Sequence, residues 1–91
     1  MEISEQLKFV VSRIKEIRKQ KSVSQLELAN RTNMSQSFLA NVESGKKQPS
    51  VLTLLRIANA LDVNPKCFFP DNEEKTRDEI KESIFNLLRS L

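Results

Sequence analysis

Between Ser35 and Lys47 the chain sets out Gln36, Ser37, Ala40, Asn41 and Ser44 at helical spacing. Turned about 100° per residue, they share one arc of roughly 140°, with Phe38, Leu39 and Val42 on the other side. Amide, hydroxyl and methyl groups in such a row suit one chemistry in particular. In a DNA major groove, Asn and Gln bond bidentately to adenine, Ser bonds to several bases, and an alanine methyl packs against the methyl of thymine. A helix that met only water would carry Lys and Glu on that arc, for helix propensity and solubility. Here the cations follow the helix instead. Lys46 and Lys47 stand just past it, where a loop can lay them along a phosphate backbone. Two loop lysines alone would be an ordinary solvated pair; beside an uncharged arc they become candidate phosphate contacts. Gln36, Ser37, Ala40 and Asn41 are the candidate base readers.

Those side chains need helices to aim them. Ile3, Leu7, Val10, Val11, Ile14 and Ile17 recur every three or four residues and predict a long first helix with one apolar stripe. Arg18 falls inside that stripe, and a charge on a buried face needs a partner. "SQLE" from Ser24 has capping-box spacing, in which Ser24 accepts from the third backbone N–H and Glu27 reaches back. A short second helix follows, with Leu26, Leu28 and Ala29 as candidate core and Asn33 as the left-handed stop. Gln25 opens it and can aim its amide, with the free N–H groups of the helix end, at a phosphate oxygen.

Ser35 caps the third helix and is placed with Gln25, Lys46 and Lys47 among the phosphate contacts. Gly45 suits the position past its end, and Pro49 prevents continuation. Ser50 caps a fourth helix, "VLTLLRIANALDV", apolar on most sides and hence central. "NPKCFFP" predicts a short fifth helix with Asn64 as cap and Pro65 first. Asp71 and Glu74 have the spacing of another cap, and Ile80, Ile84, Leu87, Leu88 and Leu91 form a second stripe, widened by Phe85.

Composition narrows the function classes. In 91 residues, one Gly, three Pro, 38% apolar and 30% charged residues describe one helical domain. The chain has no His and one Cys, Cys67, which removes most zinc sites, the usual proton shuttle and any internal disulfide. With no Gly-rich phosphate loop either, no catalytic residue, metal site or cofactor is expected. Cys67, in "KCFF", is expected to be a buried structural thiol. "MEISEQLK" lacks the features of a secretory leader and no apolar run reaches membrane length, so a cytoplasmic protein is expected. The net charge of +3 is unevenly spread: residues 1–21 hold six Lys/Arg against three Asp/Glu, whereas 71–91 hold four against six. Contact with a polyanion should use the former.

From "SQLELANRTNMSQSFLANVESGKKQPS" through "LLRIANALDV", the sequence resembles the helix-turn-helix domain of phage-repressor and Cro-type regulators, the xenobiotic-response-element family. The resemblance runs from about Arg13 to Phe69. It implies an all-α, five-helix, lambda-repressor-like fold; with the extended first helix the domain is expected over residues 1–70, and the second stripe makes 71–91 an added amphipathic helix. Gln25 then matches a glutamine that touches phosphate and braces the recognition helix. Ala29 matches the small residue where the two helices cross, and Met34, Leu39 and Val42 match apolar positions. Glu43 matches an acidic residue that, in some members, pairs with an arginine of the first helix, and Arg18 corresponds to that arginine. Gln36, Ser37, Ala40 and Asn41 fall on base-reading positions, Lys46 on a phosphate position. Asn33 and Ser22 stand where glycine is frequent, and Phe38 where tyrosine is.

The terminal stripes, Leu7 with Ile80, Ile84, Leu87, Leu88 and Leu91, are expected to build a homodimer interface or to pack within one subunit. The expected function is a sequence-specific regulator of transcription, a repressor binding double-stranded DNA as a homodimer on a two-fold symmetric operator. The alternative is an antitoxin-like or antirepressor-like subunit whose terminal helices bind a partner protein.

Overall fold

The computed structural model describes residues 2–70 together with Leu88 and Arg89. Among them are four α-helices, α1 (Ile3–Gln20), α2 (Gln25–Thr32), α3 (Gln36–Glu43) and α4 (Val51–Ala60), and a 3₁₀ turn over Pro65–Phe68, with no strand. The helices start at short polar side chains. Ser24, Ser35 and Ser50 each accept from the backbone N–H three residues on, at 3.0–3.1 Å. Each bond satisfies one of the donors a helix start leaves free.

Three elements end in the same way. Ser22, Asn33 and Asp62 take φ of 58°, 56° and 56°. In each case the next residue's N–H returns five positions: Val23 to Arg18 O at 3.1 Å, Met34 to Ala29 O at 2.9 Å and Val63 to Ala58 O at 3.0 Å. This is the Schellman closure, which satisfies orphan carbonyls and turns the chain back toward the core. Its apolar residue follows suit: Val23 is buried, and Met34 and Val63 pack against the core. No glycine serves any of the three, and for a residue with a Cβ the left-handed region is costly.

The core lies where α1, α2, α3, α4 and the 3₁₀ turn meet. Ile14, Leu28, Leu39, Ile57, Leu61 and Phe68 are almost wholly withdrawn from solvent. Each such side chain contributes about 1.5–3 kcal/mol by leaving water. Arg31 and Arg13 tie surface to backbone, donating to the carbonyls of Ala60 at 3.2 Å and Cys67 at 3.1 Å.

Several expectations need correction. The fifth helix is a 3₁₀ turn, and Cys67 is exposed within it. With three residues per turn, Pro65 and Phe68 share a side, so seating Phe68 in the core turns Cys67 outward. Leu26 is exposed, because α2 buries Leu28, Ala29 and Thr32 and leaves position 26 off that arc. Glu27 does not complete a capping box; its carboxylate takes Arg31 one turn on. Helix α4 stops at Ala60, since Asp62 has already left the right-handed region. Its apolar girth is also only partly covered: Leu54, Ile57 and Ala58 are buried, but Val51, Leu52 and Leu55 face water. The stripe of α1 is likewise buried from Val10 onward, with Leu7 half-buried and Ile3 open. The expected cap at Asp71 and stripe positions Ile80, Ile84, Leu87 and Leu91 lie outside the described residues.

Of the three left-handed residues, Ser22 has the side chain least suited to that conformation. Ser22→Gly is expected to raise the free energy of unfolding by up to about 1 kcal/mol. Urea denaturation reads this as a higher midpoint at unchanged slope, and an unmoved midpoint counts against a strained closure.

Candidate nucleic-acid interface

Arg18, in the last turn of α1, and Glu43, at the end of α3, are 7% and 8% exposed, dry enough that either charge left without a partner would be strongly destabilising. They meet fork to fork. Arg18 Nε donates to Glu43 Oε2 at 2.8 Å and Nη2 to Oε1 at 2.9 Å. Nη1 donates to the carbonyl of Val23 at 2.8 Å. Val23 therefore gives its N–H to the Arg18 carbonyl and takes a bond from the same residue's side chain. Gln25 Nε2 adds a longer bond to Glu43 Oε1 at 3.3 Å. One carboxylate thus joins the end of α1, the head of α2 and the tail of α3. Among the described residues no buried side-chain nitrogen or oxygen lacks a partner.

The opposite requirement shapes the rest of α3. Leu39 and Val42 are sealed in the core, with Phe38 half-buried. Holding that side inward turns Gln36 and Ser37 out to water and leaves Ala40 and Asn41 half-exposed along the same arc. The Ser35 hydroxyl accepts from Phe38 N, which leaves its own hydrogen free to donate outward. At the other end Gly45, at φ 82°, reverses the chain. The Asn41 carbonyl then accepts from Lys47 N at 3.0 Å and from Ser44 Oγ at 3.2 Å. This tie holds the loop of Lys46 and Lys47 against the end of α3. Both lysines are exposed, and neither joins an ion pair among the described residues.

Ser35 and the two lysines therefore bracket the arc of Gln36, Ser37, Ala40 and Asn41. Gln25 is linked to α3 through Glu43, and keeps its carbonyl oxygen and a second N–H for an outside partner. Leu7 lies elsewhere, in an apolar hollow toward the head of α1. Leu88 is 63% exposed, and Ile80, Ile84, Leu87 and Leu91 are not described. The sequence reading passed over a polar hollow of about 300 Å³ lined by Arg31, Thr32, Asn33, Arg56, Asn59 and Ala60, beside the turn into α3. Its two arginines come from different helices, so no local spacing announces them.

Two short helices joined through a left-handed Asn33, with Ala29 almost fully buried between them, constitute a helix-turn-helix unit whose second helix presents an uncharged face. Comparison with known proteins agrees: the chain belongs to the helix-turn-helix family HTH_3, whose profile matches residues 14–66. It is 43% identical over 54 residues to the immunity repressor protein of Bacillus phage phi105, covering 59% of this chain and 38% of that protein. The chain thus spans little more than a third of that relative. Among solved structures, it is similar to the restriction-modification controller protein C.AhdI from Aeromonas hydrophila, with a TM-score of 0.67 and 33% identity over 69% of this chain and 96% of that one. It is also similar to SinR, a master regulator for biofilm formation whose structure is in complex with DNA, with a TM-score of 0.61 and 32% identity over 65% and 95% of the two chains.

Removing one partner of the buried pair strands the other. Glu43→Ala is expected to cost about 3–5 kcal/mol of stability. Thermal unfolding followed by circular dichroism checks this, and equal melting temperatures for variant and parent would contradict it.

Proposed function

We propose that the chain is a sequence-specific, double-stranded-DNA-binding regulator of transcription, a repressor that works in the cytoplasm as a homodimer on a two-fold symmetric operator. The observation that carries this reading is the outer arc of α3, free of charge along its length and bracketed by groups that suit phosphate. Gln36, Ser37, Ala40 and Asn41 read base edges in the major groove. Gln25, Ser35, Lys46 and Lys47 hold the sugar-phosphate chain and fix the register. The phage phi105 relative is named a repressor, and SinR was solved on DNA, which supports the same assignment.

A single recognition helix reaches only a few base pairs. Two-fold pairing would set two of them about 34–36 Å apart on one side of the duplex and multiply the information read. Repression then follows from occupancy: a dimer seated on its operator excludes the polymerase. Among the described residues no helix is long and apolar enough to cross a membrane.

Selection of bound duplexes from a random oligonucleotide pool tests this directly and reports half-site symmetry and spacing together. Recovery of no preferred sequence at moderate ionic strength overturns the reading. On the selected site, Gln36→Ala or Asn41→Ala is expected to cost about 1–3 kcal/mol of binding, with little effect on random DNA. Lys46→Ala is expected to weaken both kinds of DNA alike and to lower the slope of log K against log salt by about one. If the two groups of variants behave identically in fluorescence anisotropy titrations, the division between readers and phosphate contacts is wrong.

A further inference from the structure

The head of α1, the start of α4 and the residues after the 3₁₀ turn enclose an apolar hollow of about 480 Å³, lined chiefly by Ile3, Leu7, Val10, Leu54, Phe69 and Pro70. It is open to water: Ile3 is 83% and Phe69 48% exposed. Helix α4 leaves Val51, Leu52 and Leu55 uncovered as well. So much apolar surface on so small a domain is the mark of an interface.

The sequence supplies an occupant of matching chemistry. The chain leaves the hollow at Pro70, one of its lining residues, and residues 71–91 follow. They carry Ile80, Ile84, Leu87, Leu88 and Leu91 at spacings of three and four. Leu88, which is described, lies in helix and is 63% exposed, so in a single chain both the hollow and this leucine stay in water. Charge complements the fit. Lys8, Lys15 and Lys19 are exposed on α1. At about 100° per residue they run beside the apolar face, roughly 80–120° from Leu7. Residues 71–91 are acidic in balance, six Asp/Glu against four Lys/Arg, whereas residues 1–21 are basic, so the two segments attract in net charge.

Resting on the homodimer reading above, we propose that the hollow receives the apolar stripe of residues 71–91 from a second copy of this chain, the exchange being reciprocal about a two-fold axis. Reciprocity closes the assembly, since each copy offers one hollow and one stripe and both are consumed in the dimer. The exchange covers Ile3, Leu7, Phe69 and the C-terminal leucines together.

The test uses the full chain. An excess of copies carrying Cys67→Ser and Ser90→Cys, spin-labelled at the new thiol, is refolded together with parent enriched in nitrogen-15. Strong broadening of the Ile3, Leu7 and Phe69 amide signals of the parent is the expected result. Broadening seen only when spin label and isotope share one chain means that the segment seats in its own copy and overturns the exchange. Light scattering on the same sample separates the remaining failures. A dimer without broadening pairs through another face and removes this seat alone, whereas a monomer at that concentration removes the homodimer reading too. Leu88→Glu, at a residue that is exposed in the single chain, is expected to weaken the dimer about tenfold or more, since forcing a carboxylate into the hollow costs at least the ~1.4 kcal/mol of one decade. An unchanged dimer dissociation constant overturns the proposal.

Discussion

The described residues are organised around one buried carboxylate. Glu43 receives both prongs of Arg18 and the amide of Gln25, and Arg18 spends its third donor on the Val23 carbonyl. A charged pair so dry is poor value as a source of stability, because desolvation offsets most of the Coulombic gain. What it imposes is direction. The guanidinium is planar and its fork fits a carboxylate in one plane, so the end of α1 fixes how α3 is rolled about its own axis. The roll of α3 decides which of its residues meet solvent. A polar contact at the back of the helix therefore governs the face at its front.

The turns act in the same cause. Ser22, Asn33 and Asp62 bend the chain by one closure, and each places an apolar residue, Val23, Met34 or Val63, against the core immediately afterward. The first of these closures also delivers the Val23 carbonyl to Arg18, so turn geometry and ion pair depend on one another. The second sets the interval between α2 and α3, which leaves Ala29 buried where a larger side chain would push the helices apart. With only one glycine in the chain, and that at the exit of α3, backbone strain is accepted at three places for definite direction.

Polarity is divided between regions of the surface. The α3 arc is uncharged and flanked by Lys46 and Lys47, whereas most of the uncovered apolar side chains, among them Ile3, Val51, Leu52, Leu55 and Phe69, belong to the head of α1, to α4 and to the residues after the 3₁₀ turn. A surface that reads bases and a surface that recruits a second copy make opposite demands on side chains. The first wants short polar groups that shed little water needlessly, and the second wants large apolar ones. Keeping them on different elements would let the proposed dimer form without burying the proposed reading face.

Much of this was legible in the chain. The serine caps, the left-handed stop at Asn33, the burial of Leu39 and Val42 and the outward arc of Gln36, Ser37, Ala40 and Asn41 follow from local rules, helical periodicity and the chemistry of short side chains. The orphan charge of Arg18 within an apolar stripe announced that a partner had to exist, and family resemblance pointed to Glu43. Local apolar character misled at Leu26, Val51, Leu52, Leu55 and Cys67, because an apolar residue in a helix or an apolar run says that a face is available for burial, not that anything covers it. Which faces are covered depends on how many neighbours a domain of this size can supply, and on the 3₁₀ turn that seats Phe68 at the expense of Cys67. The Gln25 bond to Glu43, the loop tied to the Asn41 carbonyl and the hollow between Arg31 and Arg56 join residues distant in sequence. Only the packed chain could bring them together, since hydrogen bonds and hollows of that kind are set by the relative placement of whole helices and leave no trace in local spacing.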